Sequence, residues 1–129
     1  MRTKLAALLA GLGLFCSAAS IVAHHSVTGE FDPNKTVTLK GVVTKIEWTN
    51  PHARIYIDVA QPNKTMVNWN LELAAVSARV RNGWTRSALK IGDTVTVEGI
   101  QARSGASIAN ARSVVLPDGR KVFSGAADQ

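Results

Sequence analysis

The sequence predicts a mainly β domain of five strands, with one short helix between the third and fourth. Three observations predict it. Apolar and polar residues alternate with a period of two in five separate stretches. Between the third and fourth stretch the period lengthens to that of a helix, with Val76 and Val80 four apart. Gly41 interrupts the long first stretch, where a one-residue bulge would let a strand curl. Strands one to three, a helix, then strands four and five is the order of a small oligonucleotide/oligosaccharide-binding (OB) barrel. A half-open sandwich is the alternative that fits the same alternation.

Taken in order, residues 1–23 read as a secretory signal. Arg2 and Lys4 supply the positive start, residues 5–15 an apolar run too short for a membrane span, and Ala23 the small residue at the cut. Cuts within residues 17–20 are alternatives. Lipoprotein processing at Cys16 is disfavoured, because Phe15 before it is bulky. Residues 24–35 carry Gly29, Pro33 and Asn34 and read as a polar arm; residues 36–129 form the single domain.

The first strand is expected over residues 37–48, its inward set passing from Val37 and Leu39 to Val42, Ile46 and Trp48 through a bulge at Gly41. Thr49-Asn50-Pro51-His52 is the connection. Ile55, Ile57 and Val59 form one face of the second strand, and Val67, Trp69, Leu71 and Leu73 one face of the third. Residues 74–82 read as the helix, stopped by Gly83. Ile91-Gly92-Asp93 turns into a fourth strand over 94–100. Residues 108–116 form the fifth, and Pro117-Asp118-Gly119-Arg120 turns toward a short Val122-Phe123 end.

Removal of the signal leaves 106 residues, enough for one domain. Cys16 is the sole cysteine, so the mature chain has no disulfide and no thiolate ligand or nucleophile. Thirteen of the fifteen basic residues then stand against nine acidic ones, a net charge of +4 with no block of like charge. Sparse aromatics and scattered cations argue against a nucleic-acid groove. No nucleophile elbow is present, and Glu47, Asp58, Glu72 and Glu98 form no paired-carboxylate motif, so the protein is not expected to be an enzyme. Copper-dependent oxidation at the histidines is the one catalytic alternative.

The three histidines are His24, His25 and His52. A cut after Ala23 would give His24 a free α-amine, which with its ring and the His52 imidazole would form a nitrogen-rich, tetragonal site suited to Cu(II). In this reading His25 supplies a ligand or an ionisable amide instead, since adjacent residues of an extended chain point to opposite sides. The bland alternative is two exposed terminal histidines and a turn histidine bonded locally. A rival function is a metal-free module that uses Trp48, Asn50, Trp84 and Arg86 to hold a periplasmic protein or small ligand. The expected compartment is the periplasm or the exterior, with no membrane span in the mature chain.

Several runs together resemble a family of small secreted bacterial proteins of unknown function. They are Ala23-His24-His25-Ser26, Glu30-Phe31-Asp32, Trp48-Thr49-Asn50-Pro51-His52, Gly83-Trp84-Thr85-Arg86 and Leu116-Pro117-Asp118-Gly119-Arg120. The resemblance spans the mature chain and implies a barrel-like fold without an activity to carry over. It also implies an aromatic after the Pro-His-Ala step, where this chain has Arg54.

Overall fold

The computed structural model describes residues 26–49, 52–73 and 87–123. A five-residue helix, α1 (Ser26–Glu30), belongs to one unit of the chain, and the β domain begins at Phe31 as another. The domain's strands are β1 (Phe31–Glu47), β2 (Arg54–Ala60), β3 (Met66–Glu72), β4 (Thr94–Ala102), β5 (Ile108–Val115) and β6 (Lys121–Phe123). The protein is mainly β, as its alternation predicts. The expected helix over 74–82 lies outside the described residues.

The strands form one sheet in the order β3-β2-β1-β4-β5-β6, and β3 also pairs with β5 in parallel. Each of β1 to β4 therefore has two hydrogen-bonded neighbours, and β5 has three. The face formed by Leu39, Val43, Ile55, Ile57, Trp69, Leu71, Val95, Val97, Ala109 and Val114 is the main core. Burial of this apolar set is the principal stabilising term, at roughly 25 cal/mol per Å² removed from water.

Two expectations for β1 need correction. The strand begins at Phe31 rather than Val37, because Phe31 pairs with Ala102 and is buried. The breakers of the expected arm, Pro33 and Asn34, fall where the β1–β4 register shifts between Phe31 and Thr36, a place that needs no ladder donor from proline. The second bulge is not at Gly41. Pairing runs unbroken through Gly41↔Val95, and the shift toward β2 falls between Val43 and Lys45. Val43 is thus inward and Val42 exposed. Two adjacent valines leave the parity of the alternation open. The packing settles it, since Gly41 faces inward where an added Cβ would stand 2.5 Å from the Asp58 carbonyl oxygen.

A smaller apolar cluster lies on the opposite, outward face. Register continuity from Leu39↔Val97 to Thr36↔Ile100 puts Ile100 on the side away from the main core. There Ile100 and Ala102 pack with Phe31, and Ile108 joins them.

Candidate functional site

The outward face of β2, β3 and β5 carries a polar hub. Arg54, Glu72 and Asn110 are direct cross-strand neighbours, because Arg54 pairs with Glu72 and Glu72 with Asn110. Between them lie the inward pairs Ile55–Leu71 and Leu71–Ala109, which fix the hub's side chains on the outer face. Glu72 nevertheless is 6% exposed, buried like a core residue. Its Oε2 accepts from Arg54 Nη2 at 3.0 Å, and its Oε1 accepts from Asn110 Nδ2 at 3.4 Å. Arg54 Nη1 also donates to Asn70 Oδ1 at 3.3 Å. A buried carboxylate needs such partners, since an unpaired charge there is costly.

His52 stands at the rim of this hub. Its side chain is 40% exposed, and Nδ1 lies 3.7 Å from Glu72 Oε1. That is too long for a hydrogen bond, but it leaves the Nδ1 edge of the ring facing the carboxylate. The neighbouring backbone holds the two residues together. Ala53 is fully buried, and its carbonyl accepts from the Leu73 amide at 2.8 Å, so the residues beside His52 and Glu72 are tied directly.

Of the site residues expected from sequence, the structure describes His52 and Trp48. Trp48 is partly buried and packs against the main core at the end of β1. His24, His25, Asn50, Trp84 and Arg86 lie outside the described residues. Among the described residues no three histidine, cysteine, aspartate or glutamate side chains gather as a metal-ligand set. His52 with Glu72 is a pair, and both Glu72 oxygens already accept hydrogen bonds. Glu72 is thus better placed to orient a ligand than to be one.

Sequence reasoning missed Arg54, Glu72 and Asn110 as members of a site. Their outward parity marks them as solvated strand residues. No signal in the chain announces that three separated strands bring them together. A shallow cleft of about 290 Å³ lies elsewhere, lined in part by Lys90, Asp93, Asp118 and Arg120. Its carboxylates are engaged within their own turns: Asp93 accepts from the Lys90 amide at 2.8 Å and Asp118 from Arg120 Nε at 2.6 Å.

Fold and hub together define a small β domain with a half-exposed histidine above a buried carboxylate. The chain belongs to the family of unknown function DUF6152, which it matches over residues 11–111. No curated protein and no solved structure matches it. The family's description names no activity. Among the described residues no helix is long and apolar enough to cross a membrane.

Proposed function

We propose that the protein is an exported small binding protein, periplasmic or secreted, that takes a Cu(II) ion through His24, His25 and His52. In this reading the domain is an OB-like barrel with its helix between β3 and β4. The circuit of pairings β1–β2–β3–β5–β4–β1 supports the barrel. The signal pattern of residues 1–23 supports export. Imidazole and amine nitrogens support copper among divalent metals.

One observation carries the copper reading: the residue where the N-terminal segment enters the sheet is on the same outward face as the His52–Glu72 pair. Phe31, Ala102 and Ile108 cluster there, and Ile108 pairs with Asn70, two residues along β3 from Glu72. Three strand widths and that step amount to roughly 16 Å. Seven residue steps separate His24 from Phe31. Even with residues 26–30 helical, backbone and imidazole together span about 20 Å. Chain length therefore permits one ion to be shared between the N-terminal histidines and His52.

The test is a Cu(II) titration of correctly processed protein whose N-terminus has been fixed by mass spectrometry. His52→Ala, and one residue added before His24, should each weaken binding by about tenfold or more. Equal affinity in all three proteins would remove the copper site. A second reading rests on the incomplete burial of Trp48. It is a metal-free module that holds a protein partner or small ligand through Trp48, Asn50, Trp84 and Arg86. It predicts that equal affinity, together with loss of the ligand in Trp48→Ala.

A further inference from the structure

We propose that Glu72 is a positioning residue that holds His52 in its Nδ1–H tautomer and presents an unprotonated Nε2 to solvent. This deepens the copper reading by naming the donor atom. A neutral imidazole carries its proton on one nitrogen and a lone pair on the other, and whatever faces one nitrogen decides the tautomer. Here the group facing Nδ1 is a carboxylate oxygen, 3.7 Å away. A lone pair directed at that charge is repelled, and an N–H is attracted. A ring N–H with about a third of a unit charge, at that distance and a surface-like dielectric, favours the Nδ1–H form by about tenfold.

The carboxylate is itself held in place. Arg54 binds Oε2 at 3.0 Å, and Asn110 donates to Oε1, the oxygen that His52 faces, at 3.4 Å. Both partners are strand residues in register with Glu72, so the carboxylate has little freedom to turn away. Arg54 is the only cation among the described residues that bonds this carboxylate, and it occupies the oxygen remote from the ring. The ring edge and the guanidinium therefore do not compete for one acceptor. A carboxylate behind the non-coordinating nitrogen is the usual way a metal-binding histidine is oriented, and its loss typically weakens metal affinity 10- to 100-fold.

The experiment is nitrogen-15 NMR of the His52 ring in metal-free protein, at a pH where the imidazole is neutral. The expected spectrum is dominated by the Nδ1–H form, with Nε2 mostly unprotonated. Glu72→Gln keeps an acceptor for Arg54 but removes the charge, and the Nδ1–H form should fall about tenfold relative to the other. Glu72→Ala should shift it as far or further. A merely structural role for Glu72 would leave the tautomer unchanged in Glu72→Gln, and that result, or an Nε2–H ring in the unmodified protein, would overturn the proposal. A Cu(II) titration of the same samples separates the two ideas. The expected tautomer without copper binding sinks the copper site alone. Copper binding with the opposite tautomer sinks the role given to Glu72.

Discussion

Glu72 and Glu98 make an instructive pair. Both are outward-facing strand glutamates, and each carboxylate accepts from one cation and one neutral donor. For Glu72 these are Arg54 at 3.0 Å and Asn110 at 3.4 Å; for Glu98 they are Lys121 at 3.2 Å and Ser113 at 2.9 Å. Yet the Glu72 side chain is 8% exposed and that of Glu98 55%. The difference lies in the neighbours. Glu72 is walled by arginine and asparagine on the adjoining strands, with His52 at its rim. Glu98 is flanked by Thr38 and Ser113, which are short. Burial of a strand carboxylate is thus set by the reach of side chains on neighbouring strands, and its own parity says little.

The largest break in the comparison should come from beneath the hub. Leu71 is fully buried on the inward side of β3, next to Glu72 in sequence. Leu71→Ala should cost about 2–5 kcal/mol in denaturant unfolding, since it leaves a cavity under the strand. Second comes the hub itself. Glu72→Ala should cost about 2–3 kcal/mol, because Arg54 loses its partner on a half-buried face. The Arg54→Ala, Glu72→Ala double variant should cost less than the two single losses added together. The same truncation of Glu98 should leave the unfolding midpoint almost unmoved, as exposed pairs do.

Gly99 links the two regions, for it follows Glu98 and an added Cβ there would collide with the Asn110 carbonyl. Asn110 is the residue whose side chain bonds Glu72. Gly99→Ala should therefore cost about 1–3 kcal/mol by forcing β4 from β5. It should also perturb the His52 ring resonances, although His52 is not in contact with the substitution. Unchanged resonances would show that the two carboxylate regions are independent.

The smallest effect concerns pH. The Ser113 hydroxyl, and then Lys121, hold the Glu98 carboxyl below the usual glutamate range. A depressed folded value stabilises the protein above the ordinary glutamate range, and that contribution fades as pH falls through the lower folded value. Glu98→Gln should lose a little stability at neutral pH and none once Glu98 is protonated in both states. Unfolding midpoints across the acid range would measure it.

The alternation of the chain made five strands legible, and with them most of the core. Trp69, Leu71, Val95 and Val97 are buried as their period requires. The Val42-Val43 step was illegible, because two apolar neighbours satisfy either parity and only the approach of β2 to Gly41 chooses between them. Phe31 was illegible for a related reason. It sits among polar residues and breakers, and its burial depends on Ala102 and Ile100, some seventy positions away.

The site divides in the same way. The sequence by itself determined that His52 follows an Asn-Pro step in a connection, and that no cysteine after Cys16 competes for a metal. Local chemistry suffices for both. That His52 faces a carboxylate, that the carboxylate is Glu72, and that Arg54 and Asn110 hold it were decided by tertiary structure alone. Those residues come from three strands, joined by an antiparallel and a parallel register, and register arises from the packing of the opposite face.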